Sequence, residues 1–394
     1  MNDNVQFFRS SRAQTVLRKF PIVYSVDMHD DSHYGFMIDS RTGTVLEDKN
    51  IQGKLSTLVK HLEKYHTSRK DSMVILFEAG GLGFSPYRTL TKAGYECLMI
   101  APSSIPKSGK RQKSDRQDAI DNFHYFAAGS LRMVTAPTEK DEEIRELLRY
   151  RQEVNHRATK QKQRILSFLK RHGQEFTGTK TNWTKKHYEW LRTVAMPSVL
   201  RATLDFELKD LIHYQEQIAC IDKELDLHFE TDPHYKKLSM GYQCIAGIGR
   251  IGAMTLVLEG GDLSRFYHPN ALMNFVGLVP LKHSSGKSDP ALHITKAGNG
   301  YLRLALVTAA RMYSDRRRLR KTKDIQKLPE LMQEFIYRLQ DRLANRYRYL
   351  TAKGKNSNKA KCAIARELCG FLWEYATKIM PNIPEHTIED KKAA

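Results

Sequence analysis

From Pro21 to Ala127 the chain alternates short β-prone runs with stretches of helical periodicity, and that order restricts the fold more than any other feature. Ile22–Asp27 is apolar and β-prone. Tyr34–Ile38 follows and, after the turn Asp39-Ser40-Arg41-Thr42-Gly43, so does Val45–Glu47, giving a three-stranded meander. Ile51–His66 carries Leu55, Leu58, Val59 and Leu62 at helical spacing. Met73–Phe77 reads as a short buried strand ending on Glu78, Pro86–Ala93 as a helix and Glu96–Ala101 as another strand. Beyond a basic loop, Lys107 to Lys113, Asp115–Ala128 reads as a helix.

The order βββαβαβα is that of an RNase H-like sheet, and it sets four acids where such a sheet can use them. Asp27 lies within or at the end of the first strand and Glu78 caps the fourth. Asp115 and Asp118 are three apart and share one helix face. Four carboxylates converging on one point repel each other unless a divalent cation neutralises them. Oxygen-only ligands favour Mg²⁺, with Mn²⁺ as its substitute. Two such ions would stabilise both the attacking and the leaving oxygen of a phosphodiester. The same residue types also allow a plainer reading, with Asp115 as an N-cap and Asp118 as a surface acid. His29 and His33 are ligand types too, although surface histidines near a turn explain them as well.

A second informative stretch runs from Cys244 to Ala310. Gly247 and Gly249 precede an apolar helix, Gly252 to Leu258, and free N–H groups at such a start suit a phosphate. The turn Asp262-Leu263-Ser264-Arg265-Phe266, a short helix from Pro269 to Val276 and Gly277-Leu278-Val279-Pro280 follow. Then comes a polar loop, Lys282-His283-Ser284-Ser285-Gly286-Lys287-Ser288. Adjacent serines between Lys282 and Lys287, beside a glycine that frees the backbone, would present a hydroxyl nucleophile, or simply form a solvated loop. Ile294-Thr295-Lys296-Ala297-Gly298-Asn299-Gly300 closes the stretch before a helix from Tyr301 that carries Arg303.

Charge points to the partner. Lys plus Arg number 64 against 44 Asp plus Glu, a formal net charge of +20, which fits a nucleic acid better than a membrane surface. No apolar run approaches a membrane span, Met1 to Ser11 is polar, and five scattered cysteines suit reduced thiols, so a soluble cytoplasmic protein is expected. Between Thr138 and Phe229, Leu147, Val154, Ala158, Ile165 and Phe168 fit a seven-residue seam interrupted by Arg151 and Gln161. Leu204, Leu208, Leu211, Ile218 and Leu225 repeat it, as in an antiparallel coiled coil or dimerising arm. Beyond Ala310 come Arg316, Arg317 and Arg318, and later Tyr347 and Tyr349 interleaved with Arg346 and Arg348, a mixture that stacks on bases and contacts phosphates. No sequence-reading helix-turn-helix or zinc module is visible.

The ordered motifs of the second stretch, from the Gly-Ile-Gly of 247–249 through the Ser-Ser-Gly of 284–286 to the Ile-Thr-Lys-Ala-Gly-Asn of 294–299, resemble the C-terminal domain of the insertion-sequence 110 transposase family, which includes the Piv-type DNA invertases. The segment around Asp27, that around Glu78 and the Lys-Ser-Asp-Arg-Gln-Asp-Ala of 113–119 resemble the family's acidic motifs, with Ser114 where threonine is more usual and Gln117 where arginine often stands. Ile105-Pro106 and Arg171-His172-Gly173 are similar to the subgroup typified by insertion sequence 1111.

The resemblance implies a transposase whose DEDD set is Asp27, Glu78, Asp115 and Asp118, and whose nucleophile, joined covalently to DNA, is Ser285 with Ser284 beside it. It also implies donor and target DNA as partners and a structured, element-encoded guide RNA that pairs with both. A homo-oligomer, dimer or tetramer, is expected. The fold class is α/β plus α. An N-terminal tail (1–20) precedes an RNase H-like, RuvC-like catalytic domain (21–135) and a helical coiled-coil arm (136–235). A mainly helical serine transposase domain with a helix-hairpin-helix-like start (236–330) and a basic helical region (331–394) complete it. Gly247, Gly249, Lys282, Lys287, Lys296, Arg303, Arg316, Arg317 and Arg318 are the candidate nucleic-acid contacts. The rival readings are a metal nuclease acting on branched DNA with the acids alone, and a non-catalytic nucleic-acid-binding protein.

Overall fold

The structure, a computed structural model, describes residues 13–106, 114–281, 293–315, 319, 325 and 328–382. The chain divides into two compact units, Met1–Pro137 and Thr138–Ala394. Ser284, Ser285, Lys282, Lys287 and Arg316 to Arg318 lie outside the described residues.

The first unit is built on a mixed sheet of six strands in the order β3-β2-β1-β4-β5-β6. After a helix over 13–19 (α1), β1 (Ile22–Met28), β2 (Ser32–Asp39) and β3 (Thr44–Gln52) form the antiparallel meander. β4 (Met73–Glu78) adds parallel to β1, β5 (Glu96–Ile100) parallel to β4, and the short β6 (Met133–Val134) antiparallel to β5. Alternation assigns the two faces. Ile22, Tyr24 and Val26 point to α2 (Leu55–His66) and α3 (Ser85–Lys92), where Leu58, Leu62 and Leu90 are fully buried. Val23 points to the other face, where α4 (Asp115–Ala127) lays down Ala119, Phe123 and Phe126, joined by Ala13 of α1.

Two boundaries differ from the sequence pattern. Ile51 and Gln52 belong to β3, not to the following helix, because β3 pairs along all of β2 and Ile51 is buried opposite His33. Gly53, at φ +121°, then breaks the strand before α2 begins. His33 is not a surface residue: it is buried, and burial holds its pKa below the usual histidine value.

A polar knot ties this meander to α2. Glu47 of β3 accepts from the Tyr24 hydroxyl (2.9 Å), from His61 Nε2 (2.9 Å) and from His66 Nε2 (2.9 Å). Tyr24, Met37 and Glu47 are register partners across β1, β2 and β3. Gly35 makes room for the tyrosine, since a Cβ there would stand 2.0 Å from its hydroxyl. Arg69 Nη1 lies 3.1 Å from His66 Nδ1. A guanidinium only donates, so Nδ1 accepts and His66 keeps its proton on Nε2, facing Glu47. Burial opposes the Glu47 charge, but these three donors outweigh it and hold its pKa below the ordinary value.

The second unit is helical. α5 (Glu139–Arg171) and α7 (Ser198–Thr231) pack antiparallel, with α6 (Lys185–Thr193) at the far end. Val154, Ala158, Ile165 and Phe168 bury against the facing helix with Leu204, Leu208, Leu211 and Leu225. The polar interruptions are matched across the seam. Arg151 pairs bidentately with Asp222 (2.6 and 3.1 Å), and the amide of Gln161 donates to the Glu207 carbonyl (2.9 Å).

α8 (Pro233–Gln243), α9 (Arg250–Thr255), α10 (Pro269–Val276), α11 (Gly300–Ala310), α12 (Glu330–Ala352) and α13 (Ser357–Glu374) build one continuous core with the near ends of α5 and α7. The helix expected over 252–258 loosens at Leu256–Gly260 into a π-turn, which places Glu259 on the inside.

Candidate active site

The first unit carries the four expected acids at one end of its sheet, three of them, Asp27, Asp115 and Asp118, close enough to act on one another's charge. Asp27 sits one residue before the end of β1; Val26 is register partner of Phe77, so Asp27 and Glu78 each come next on adjacent parallel strands. Asp115 and Asp118 occupy the first turn of α4. The cap of that helix is Ser114, whose hydroxyl accepts from Gln117 N (3.2 Å), so Asp115 is not the N-cap and both aspartates are free to face outward. His29 Nε2 lies 3.3 Å from Asp27 Oδ2 and 3.7 Å from Asp115 Oδ1, bridging strand and helix. Asp27, His29 and Asp115 have ligand atoms close enough to share one ion.

The electrostatics agree with that grouping. Asp27 is held above the ordinary aspartate pKa, first by burial and then by the neighbouring charges of Asp115 and Asp118, while His29 pulls it down. Burial and like-charge repulsion of this kind are what a bound dication relieves, and the carboxylate oxygens are the donors a hard cation takes. The acid set thus fits a divalent metal.

A positioning network escaped the sequence reading. Arg116, beside Asp115, donates through Nε (2.8 Å) and Nη2 (2.5 Å) to Asp48 of β3, which also accepts from the Tyr34 hydroxyl (2.8 Å). Tyr34 is the register partner of Asp27. These residues fix the start of α4 over the meander, yet 68 positions separate Arg116 from Asp48 and no motif joins them.

In the second unit, Pro280 and Ile294 form an antiparallel bridge, and Leu281 N donates to His293 O (2.7 Å). Gly277 caps α10 in the left-handed region (φ +72°), where a Cβ would stand 2.2 Å from the Ala297 carbonyl oxygen. Lys296 is exposed at φ +53°. The Arg303 guanidinium donates to Val276 O (2.8 Å), which ties α11 to the end of α10. Gly247 backs onto the carbonyl of Ala309, 2.4 Å from where its Cβ would be, whereas Gly249, the N-cap of α9, has open space around it.

No helix among the described residues is long and apolar enough to cross a membrane. A family model described as a transposase, of the IS110 DEDD type, matches residues 25–173. A second, described as transposase IS116/IS110/IS902 family, matches residues 243–326. A putative transposase, y4qE, of Sinorhizobium fredii is 32% identical over 323 residues, covering 81% of this chain and 79% of that one. The transposase for insertion sequence element IS1533 of Leptospira borgpetersenii is 25% identical, over 64% of this chain and 74% of its own. The transposase for insertion sequence element IS1111A of Coxiella burnetii is 27% identical, over 60% and 65%.

Proposed function

This chain belongs to the IS110 family of insertion-sequence transposases and is a DNA transposase, and we propose from that premise that it cuts and rejoins DNA through a covalent serine–DNA intermediate. The observation that carries the reading is the meeting of Asp27 and Asp115 at His29, with the Asp118 charge acting on Asp27 and Glu78 on the next strand, inside the segment that the DEDD-type model matches.

In this reading a RuvC-like domain over 21–135 holds Mg²⁺, or Mn²⁺ in its place, with Asp27, Glu78, Asp115 and Asp118. When bound, the ion supplies neutralisation of charge at the reacting phosphate. The protein's own part is positional: Ser114 and Arg116 orient the first turn of α4, and His29 keeps Asp27 and Asp115 together. Ser285 Oγ attacks a phosphodiester phosphorus, the bond to the 3′ oxygen breaks, and that oxygen leaves as a 3′ hydroxyl. Attack of a 3′ hydroxyl on the serine ester forms the new phosphodiester and returns the serine hydroxyl. A serine hydroxyl is a weak nucleophile and needs a metal or a carboxylate base to activate it.

The domain over 236–330 carries the serine, and the coiled-coil arm (136–235) and basic region (331–394) grip nucleic acid. Gly247, Gly249, Lys282, Lys287, Lys296, Arg303 and Arg316 to Arg318 are the phosphate-side residues in this account. A guide RNA reads donor and target by pairing, which suits a chain whose sequence shows no recognition module.

The experiment is a denaturing gel of labelled DNA incubated with the protein and Mg²⁺, with peptide mapping of any adduct. Ser285→Ala removes the adduct and Ser284→Ala only slows its formation. An adduct mapped to Ser284 reverses the assignment, and one that survives both changes removes this segment from the mechanism. Cleavage with no adduct at all favours a metal nuclease acting through the acids alone. Sequencing of co-purified RNA tests the guide.

A further inference from the structure

An open groove of about 830 Å³ lies between α10 and α13 in the second unit. That volume is within the range of roughly 300–1,000 Å³ typical of small-ligand clefts. Its apolar lining includes Met273, Val279 and Phe371, and Gly370 lets the two helices close on it, since a Cβ there would come within 3.1 Å of Met273 Cε.

The rim is charged, and its charges are unevenly spent. Glu367 is engaged by Arg342 (3.2 Å) and Arg346 (3.1 Å), and Glu374 by Arg338 (2.7 Å), all from α12. Arg366 and Lys378 also line the groove, and among the described residues neither has a carboxylate partner. An apolar floor beside two cations is the chemistry that receives an unpaired nucleotide: the base packs on Met273 and Phe371, whose ring already meets Phe335 edge-on and the Arg338 guanidinium, and the flanking phosphates meet the cations. Place supports this. Val279 lines the groove and directly precedes the Pro280–Ile294 bridge.

We propose that this groove holds an unpaired nucleotide of the DNA strand being processed, and so sets which phosphate is presented at the Pro280–Ile294 bridge. The inference rests on the transposase reading above. It differs from general backbone binding in demanding a single-stranded base.

The test uses the full-length protein and single-stranded DNA and RNA of one sequence carrying 5-iodouracil, irradiated and mapped by peptide mass spectrometry. The DNA crosslinks to the peptides holding Met273 and Phe371. Asn274→Trp, on the exposed rim of α10, fills the groove and abolishes that crosslink while circular dichroism stays unchanged. The pair Arg366→Gln and Lys378→Gln weakens DNA binding about 10-fold and reduces the salt slope by roughly 1.4, near 0.7 per single-strand phosphate contact. DNA crosslinks that fall elsewhere, or that persist in both variants, overturn the proposal while leaving the transposase reading intact. Crosslinking by RNA alone overturns the assignment to DNA. A wild-type protein that binds no DNA removes the transposase reading together with this one.

Discussion

Arg149 and Glu259, 110 positions apart, form a bidentate ion pair inside the second unit, with Nε to Oε1 at 2.7 Å and Nη2 to Oε2 at 2.9 Å. The Glu259 side chain is 1% exposed. It also accepts from the Asn299 side-chain Nδ2 (2.7 Å), and Asn299 Oδ1 caps α11 by accepting from Leu302 N (2.9 Å). One carboxylate thereby joins α5, the π-turn after α9 and the first turn of α11. The glutamate's hydrogen bonds in turn raise the pKa of Arg149.

Removing one member of such a pair strands the other in a low-dielectric site. Arg149→Met is expected to destabilise the second unit by about 3–5 kcal/mol. Glu259→Gln, which keeps its shape and the Asn299 contact, should cost less. Urea denaturation followed by circular dichroism measures both. Equal midpoints for wild type and Arg149→Met would show that the pair does no more than an exposed one.

The acid centre makes a prediction about metal. Mg²⁺ should raise the melting temperature of the wild-type protein, because it binds only the folded site. Asp118→Asn should lose most of that increment and abolish strand cleavage with little change in metal-free stability, since Asp118 is only partly buried. Ca²⁺ should raise the melting temperature without supporting cleavage, its looser coordination misplacing the reacting oxygens. Full recombination by Asp118→Asn would sink the site.

Glu47 governs an acid-dependent step in the first unit. Its folded pKa is depressed, so its stabilising contribution is complete above the unfolded value of about 4.5 and is lost as pH falls through the lower folded value. The groups facing it are His61, His66 with Arg69 behind it, and Tyr24. His61, His66 and Tyr24 all donate to the carboxylate, so the loss below that range belongs to the Glu47 charge. Glu47→Gln should therefore melt well below wild type at pH 6, and the gap should narrow from pH 5 to pH 3. A gap independent of pH would show that packing, not charge, holds the knot.

Charge beyond α11 should act without regard to sequence. Neutralising Arg316, Arg317 and Arg318 together is expected to weaken nucleic-acid binding across sequences and to flatten its dependence on salt, by roughly one unit of slope per lost phosphate contact. Selective loss of one target in a filter-binding series would mean that these arginines read bases.

The meander and the two parallel strands were legible because their apolar runs are short, β-branched and punctuated by turns. The parallel pairing of β1 with β4, about fifty positions on, then carried Asp27 to its place beside Glu78. β6 was not legible, since two residues carry no period and its pairing with β5 is decided by the sheet. His29 was ambiguous for a related reason: its role comes from Asp115, 86 positions later. The seam of α5 and α7 was readable from its apolar positions, whereas the arginine and glutamine that interrupt it made sense only once their partners, Asp222 and Glu207, lay opposite. Glu259 carried no signal of burial, because a carboxylate inside a core is explained only by the arginine that reaches it.

The family match that ends at residue 173 and the compact unit that ends at Pro137 divide the chain at different places, and α5 lies between the two. A fragment cut at the end of the homologous segment would carry 33 residues of α5 with Ile144, Leu148, Val154, Ala158, Ile165 and Phe168 bared, their apolar partners left behind. Such a fragment is set to self-associate or precipitate. One ending at Pro137 keeps both faces of its sheet covered, so dissection of this enzyme should follow the fold's seam and leave α5 with the helices it was built to meet.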